Sequence, residues 1–164
     1  MKNVLFRSAL ILAFVFASWT ASAVQPVNIE DSVKKMAKEF ENTAGVESVV
    51  LDGGLGLALV KSMFKAKFGK EFMKDVTSMI LIDYSKATND VANALRKRLD
   101  SFSAVLQELE LGKGELAEGQ YAKCYAKIEA PKISDMMIII EDKESRLYLY
   151  MGGKLNVDKL QLQL

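Results

Sequence analysis

A glycine-rich turn is the first place where this sequence could carry chemistry. In VVLDGGLGLALVKSMF, residues 49–64, an apolar run is followed by three glycines in four residues and then by Lys61 and Ser62. A phosphate-binding P-loop requires Gly-x-x-x-x-Gly-Lys-Ser/Thr, so that backbone N–H groups wrap the phosphates and the lysine reaches them. The positions that need glycine hold Leu55 and Val60. The spacing therefore favours a flexible strand-to-helix turn, or close backbone packing, over phosphate binding.

Two carboxylates follow predicted strands. Asp52 comes after the first strand and Asp83 after the second. If those strands are parallel neighbours, the two carboxylates meet at one edge of the sheet, where such a pair could bind a cation or share a proton in acid–base catalysis. In the simpler interpretation both accept hydrogen bonds from turn backbones. A carboxylate- or metal-dependent hydrolase built on this pair is one hypothesis for the function.

The other reactive residue types are few. The chain has no histidine, which excludes Ser-His-Asp and Cys-His arrangements and the commonest zinc and copper ligand sets. Cys124 is the only cysteine, so no internal disulfide can form, and its neighbours Ala122 and Ala126 predict a small buried residue. Methionines are scattered along the chain, and core filling is favoured over copper binding through thioethers. We therefore expect no catalytic residue, no metal site and no cofactor.

A basic segment follows the glycine turn. VKSMFKAKFGKEFMKD, residues 60–75, mixes five lysines with methionines and phenylalanines. Such a pattern is typical of a segment that lies on an anionic membrane surface, for which residues 61–74 are the candidate. Lysines whose stems cover a helix packed on its own sheet explain the same pattern. Both interpretations stay open from the sequence.

The final strands carry the most informative polar pattern. GQYAKCYAKIEA alternates small apolar residues with tyrosine and lysine, and RLYLYMGG alternates leucine with tyrosine. If these strands share a sheet with helices behind it, their phenols face outward, as tyrosines do at recognition surfaces. The candidate partner-binding residues, which we term the Tyr/Lys face, are Tyr121, Lys123, Tyr125, Lys127, Tyr148 and Tyr150. A half-solvated structural face is the alternative.

The elements that position these residues follow from hydrophobic periodicity. Helical spacing predicts helices in residues 28–45, at about 55–67 and from about residue 88. In the second of these, the apolar residues that recur at helical spacing are Leu57, Val60, Phe64 and Phe68. Apolar segments predict strands within 46–52 and within 77–85, and period-two patterns predict an antiparallel meander after about residue 103. The predicted fold class is α+β, with helices packed on one face of a mixed, largely antiparallel sheet.

The amino terminus has the pattern of a secretory signal peptide. Lys2 and Arg7 precede an apolar run, and the small residues of Ala21-Ser22-Ala23 form a cleavage pattern. The run is shorter than the roughly 20 residues that span a bilayer. We predict that residues 1–23 are removed by cleavage near Ala23, that residues 24–164 form a single α+β domain, and that the protein is periplasmic or secreted.

Charge and composition limit the partners. Two of the 22 basic residues lie in the predicted signal peptide, which leaves 20 against 21 acidic residues. A nearly neutral chain offers no electrostatic argument for binding nucleic acid. Nucleic acid is therefore not an expected partner.

Several segments follow one another in an order shared with a known family. They are the amphipathic helix ending in GVESVVL, the segment VKSMFKAKFG, the strand MILIDYS, the helix containing VANALRKRL and the closing YLYMGGKLNVDKL. In this succession the chain resembles the domain of unknown function 4252 family, found among exported proteins of Gram-negative bacteria. The resemblance implies an exported α+β domain. That family has no assigned activity, so no catalytic residue is carried over, and this chain lacks the lipoprotein cysteine of some exported relatives.

These observations predict a non-enzymatic binding protein of the cell envelope. Its expected partner is an envelope protein, a glycan or a lipid, contacted through the Tyr/Lys face. Peripheral association with an anionic membrane through residues 61–74 is one alternative. The hydrolase that would use Asp52 and Asp83 is the other.

Overall fold

Helices and strands alternate and then give way to a run of strands. The computed structural model of the 164-residue chain describes residues 28–109, 121–129, 132–156 and 158. The predicted signal peptide lies outside these residues. The described elements are α1 (Ile29–Phe40), β1 (Glu47–Leu51), α2 (Gly54–Phe68), α3 (Lys70–Lys74), β2 (Val76–Asp83), α4 (Asn89–Ser103), β3 (Gln107–Leu109), β4 (Tyr121–Glu129), β5 (Lys132–Glu141) and β6 (Arg146–Leu155).

The six strands form one sheet in the order β1-β2-β6-β5-β4-β3. All five neighbouring pairs are antiparallel. The last strand therefore returns to the middle of the sheet, between β2 and β5. The predicted α+β class is confirmed, and the described sheet is antiparallel throughout rather than mixed.

Helices cover both faces of the sheet, so the prediction of helices on one face was wrong. On one face, α1 and α4 pack against the buried side chains of Ile80, Ile82 and Ile139. On the other, α2 and α3 pack against those of Met79 and Ile138. Since alternate residues of a strand point to opposite faces, apolar residues in both sets require two covered faces.

Local sequence signals place the helix starts. The Asn28 side chain accepts a hydrogen bond of 3.2 Å from the N–H of Asp31 at the start of α1, and Thr88 accepts from Val91 at the start of α4. At the start of α2, Gly53 and Gly54 have φ angles of 92° and 70°. Glycine adopts such angles without strain. The glycine-rich segment is therefore a turn between β1 and α2, as its spacing favours.

Candidate functional site

Two of the six residues of the Tyr/Lys face are sealed inside the protein. Strand register places Tyr150 between Ile80 and Met137, and Tyr148 between Ile82 and Ile139. Both tyrosines are 0% exposed, because α1 and α4 pack across this part of the sheet. The expectation that Tyr148 and Tyr150 face a partner was wrong.

The residues of the Tyr/Lys face on β4 whose side chains are described are more accessible, but they contact other residues of the protein. Lys123 is half-buried, with its ammonium 3.6 Å from Glu108 and 5.9 Å from the ring centre of Tyr125. Tyr125 packs against the core, and the exposed Lys127 pairs with Glu129 at 2.9 Å. The side chain of Tyr121 lies outside the described part of the structure. The six residues therefore do not form the continuous open surface that the alternation predicts.

The two sealed tyrosines differ in their hydrogen bonding. The Tyr150 hydroxyl donates a hydrogen bond of 2.6 Å to Asp135 Oδ1, and Ser134 donates to the other oxygen of that carboxylate at 2.9 Å. The Tyr148 hydroxyl has no partner in the described ranges. Burial first, and then the hydrogen bond to Asp135, raises the pKa of Tyr150, and burial raises that of Tyr148. Neither phenol can serve as a base at neutral pH.

A second polar cluster links α4 to β5. The Arg96 guanidinium donates two hydrogen bonds to Glu141, of 2.8 and 2.6 Å, and the Tyr84 hydroxyl donates a third, of 2.6 Å. Burial opposes ionisation of Glu141, but these donors outweigh it and lower its pKa. A cavity of about 370 Å³ lies beside the cluster and is also lined by Leu99 and Ile139. Because the Glu141 carboxylate accepts three hydrogen bonds, the cluster is typical of a stabilising contact between α4 and β5 rather than of an acid–base site.

Asp52 and Asp83 lie at opposite ends of the β1–β2 pair. Glu47 stands opposite Asp83, whereas the other end of β1, next to Asp52, is opposite Met79. At roughly 3.4 Å per residue, their backbones are about 17 Å apart. Asp52 pairs with Lys34 at 3.0 Å, and Asp83 accepts a hydrogen bond of 2.9 Å from the N–H of Ser85. The hypothesis of a shared carboxylate site was wrong, because the strands are antiparallel.

Cysteine and methionine have the structural places that their sequence surroundings predict. Cys124 is 0% exposed, and burial raises its pKa to about 12, so its sulfur is not a nucleophile. The methionines that fill the two cores are Met36, Met73, Met79, Met136, Met137 and Met151. No group of three or more His, Cys, Asp or Glu residues that could hold a metal ion occurs in the described residues. Met63 is the exception to core filling, at 75% exposure.

Met63 belongs to an apolar row on the outer side of α2. Leu55 is 85% exposed, Leu59 is 69% exposed, and the two residues and Met63 are spaced by four. Residues at this spacing form one line along a helix. We term these three residues the α2 stripe. Helical spacing predicted the inner residues of this helix but not the α2 stripe. The signal in the sequence was that Leu55, Leu59 and Met63 are large apolar residues outside the inner series.

The inner side of α2 is fixed to the protein. Leu57 and Phe68 are buried, Val60 and Phe64 pack against the same core, and the two phenylalanine rings lie 5.6 Å apart. As predicted, these inner residues face the sheet. The helix is therefore apolar on two opposite sides, and among the described residues only the inner side is covered.

The lysines of the basic segment have different roles. The Lys61 ammonium points inward and donates to the carbonyl oxygens of Val76 at 2.7 Å and Lys74 at 3.2 Å. Lys65 and Lys70 are exposed, while Lys74 pairs with Glu71 at 2.6 Å. Residues 53–70 contain no Asp or Glu. The α2 stripe thus belongs to a stretch of chain whose only charges are positive.

No helix in the described ranges combines the length and apolar character needed to cross a membrane. No protein-family model, curated protein or solved structure matches the chain. The resemblance to the domain of unknown function 4252 family stays a prediction from the sequence.

Proposed function

We propose that this protein is a non-enzymatic binding protein that associates peripherally with an anionic membrane surface through α2. The supporting observation is the α2 stripe, in which Leu55, Leu59 and Met63 are 69–85% exposed on a helix whose other side is packed in the core. Apolar rows of this kind on a surface helix are typical of interfacial membrane contact.

The stripe is costly to leave in water. Burial of apolar surface is favourable by roughly 25 cal/mol per Å², so three large side chains supply a substantial driving force for docking. The outer sides of the other long helices offer no such force, because they expose charged residues such as Lys35 and Lys38 on α1 and Lys97 and Arg98 on α4. The contrast among the helices points to α2 as the docking element.

The charges near the α2 stripe favour a negatively charged membrane surface. Lys65 is on α2 and Lys70 begins α3, and both are exposed. A lysine near an anionic membrane contributes about 1 kcal/mol, and this attraction is screened by salt. Because no acidic residue lies between positions 53 and 70, nothing on α2 opposes an anionic lipid surface.

The helix is already ordered before it binds. Lys61 ties α2 to the junction of α3 and β2 through two carbonyl oxygens, and Phe64 and Phe68 hold its inner side on the core. Binding through a preformed helix avoids the entropy cost of folding at the surface. The predicted signal peptide would deliver the protein to the envelope, where such lipid surfaces are available.

Co-sedimentation with lipid vesicles tests the proposal. The purified protein is expected to sediment with phosphatidylcholine vesicles that contain phosphatidylglycerol, and to do so weakly with phosphatidylcholine alone. Replacing Leu55, Leu59 and Met63 together by serine should abolish binding without loss of folding, because all three are exposed. Val105→Ser is the matched control, since Val105 is an exposed apolar residue outside α2, at 51% exposure. Equal binding by the triple variant would refute the proposal.

A further inference from the structure

In the part of the chain that the structure describes, one edge strand of the sheet has a neighbour on one side only. In the described sheet β1 lies at the end of the strand order and pairs only with β2. Its central residues, Val49 and Val50, are 47% and 42% exposed. They alternate between the two faces of the sheet, since Val49 stands opposite Leu81 and Val50 opposite Ile80. An edge strand presents unpaired backbone groups along its outer side, so its natural partner is another strand.

The β1 edge carries few of the features that prevent strand addition. Such features are charged side chains, above all lysine, as well as proline, a β-bulge or a very short edge strand. The charged residue of β1 is Glu47, at its end. Glu47–Leu51 contains neither lysine nor proline, and its register with β2 runs without a shift. The opposite edge, β3, has only three residues, and Glu108 on it is engaged with Lys123. Strand addition is therefore favoured at β1.

We propose that β1 pairs antiparallel with β1 of a second copy of this chain, across a two-fold axis at Val49. In this register Glu47 stands opposite Leu51 of the second copy, and Ser48 opposite Val50. No two like charges then oppose each other. A two-fold register centred on Ser48 or Val50 would pair fewer of the five residues of β1, and one centred on Glu47 would set two carboxylates opposite each other. The register centred on Val49 thus pairs all five residues of β1 with the second copy, as a self-complementary two-fold interface requires.

The pairing has a geometric consequence for the membrane-facing side. A two-fold axis perpendicular to the sheet keeps corresponding faces of the two copies on the same side. Both α2 stripes then point in the same direction, and one surface can engage both, which strengthens binding through effective concentration. This consequence rests on the proposed function, whereas the pairing itself does not. Because a five-residue strand pair is a small interface, the association is expected to be weak in dilute solution.

Disulfide cross-linking without lipid tests the pairing and its register. Directly opposed residues of antiparallel strands have Cα atoms about 4.5–5.5 Å apart, within the range that a disulfide spans. Val49→Cys should form a covalent dimer under mild oxidation. Native Cys124 is fully buried and does not interfere. The register control is Val50→Cys, whose symmetry mate is a diagonal neighbour about 7–8 Å away.

The location control is Val105→Cys, at a similarly exposed valine outside β1. Because pairing raises the effective concentration at the axis, Val49→Cys should cross-link about tenfold faster than either control. Equal or faster cross-linking through position 50 or 105 would overturn the pairing. The serine variant of the α2 stripe should still cross-link through Val49→Cys. This result separates failure of the pairing from failure of membrane association.

Discussion

The ammonium of Lys61 donates a hydrogen bond of 2.7 Å to the carbonyl oxygen of Val76, the first residue of β2. It also donates to the carbonyl oxygen of Lys74, the last residue of α3. The last carbonyl groups of a helix lack partners within that helix. The Lys61 side chain of α2 thus donates to a carbonyl group at the end of α3 and to one at the start of β2. These two hydrogen bonds hold α2 against α3 and the sheet, with the α2 stripe on the outer side.

Replacing Lys61 by methionine should destabilise the protein. Methionine keeps the apolar stem of lysine but has no ammonium group, so the carbonyl groups of Val76 and Lys74 lose the hydrogen bonds that Lys61 donates. We expect the free energy of unfolding to fall by about 1–2 kcal/mol. Urea denaturation measures the loss. Lys65→Met, at an exposed lysine one turn further along α2, should change stability little. Equal losses in the two variants would show that the inward hydrogen bonds of Lys61 do not matter.

Single substitutions in the α2 stripe should weaken vesicle binding in steps. Each of Leu55→Ser, Leu59→Ser and Met63→Ser removes about 1 kcal/mol of apolar transfer free energy, so each should weaken the partition coefficient about fivefold. The three losses in free energy should be roughly additive. Vesicle titration measures the partition coefficient. The free energy of unfolding should stay nearly constant, because these side chains are exposed. Weaker binding that followed a loss of stability instead would contradict direct lipid contact.

Charge reversal should affect binding to anionic vesicles alone. Lys65→Glu combined with Lys70→Glu is expected to weaken binding at least tenfold, since each lysine contributes about 1 kcal/mol at an anionic surface. Raising the salt concentration should weaken binding of the native protein in the same direction. Lys35→Glu, on the exposed side of α1 and thus over the opposite sheet face, is the control. If Lys35→Glu had the same effect, net charge rather than α2 would direct binding.

The two sealed tyrosines should respond differently to loss of their hydroxyl groups. Tyr150→Phe removes a hydrogen bond of 2.6 Å to Asp135 and should cost about 1–3 kcal/mol in the free energy of unfolding. Tyr148→Phe should be neutral or stabilising, because its buried hydroxyl has no partner in the described residues. Chemical denaturation of both variants checks the difference. A large loss in Tyr148→Phe would reveal a hydrogen bond to that hydroxyl.

The Glu141 cluster should make stability depend on acid pH. The folded-state pKa of Glu141 is lowered from 4.5, so its contribution to stability is complete above about this value. The contribution is lost as the pH falls through the lower, folded-state pKa. Glu141→Gln should reduce stability at neutral pH and flatten this acid-side decline. Urea midpoints measured across the acid range test both effects, and Glu144→Gln, at an exposed carboxylate, should leave the profile unchanged.

Much of the local structure could be predicted from the sequence. Asn28 caps α1, Gly53 and Gly54 form the turn before α2, and the alternation around Cys124 places that residue in the core. These features depend on residues close in sequence, or on a period that the backbone geometry sets. The inner side of α2 was predicted for the same reason.

The candidate site could be predicted only in part. Residues 61–74 were identified as a membrane candidate, but the exposed apolar row that begins at Leu55 was not predicted. A helix that is apolar on two sides does not reveal which side the sheet will cover. The prediction that Asp52 and Asp83 share a site was wrong for a related reason. Whether two neighbouring strands are parallel or antiparallel depends on the path of the whole chain.

By itself, the sequence determined which residue types are present, where the chain can form helices and strands, and which residues share a strand face. Tertiary structure alone decided what lies against each face. Because β6 returns between β2 and β5, Tyr148 and Tyr150 lie in the centre of the sheet beneath α1 and α4, and the open apolar surface is on α2. Periodicity is local, whereas the covering of a face depends on contacts between residues far apart in the chain.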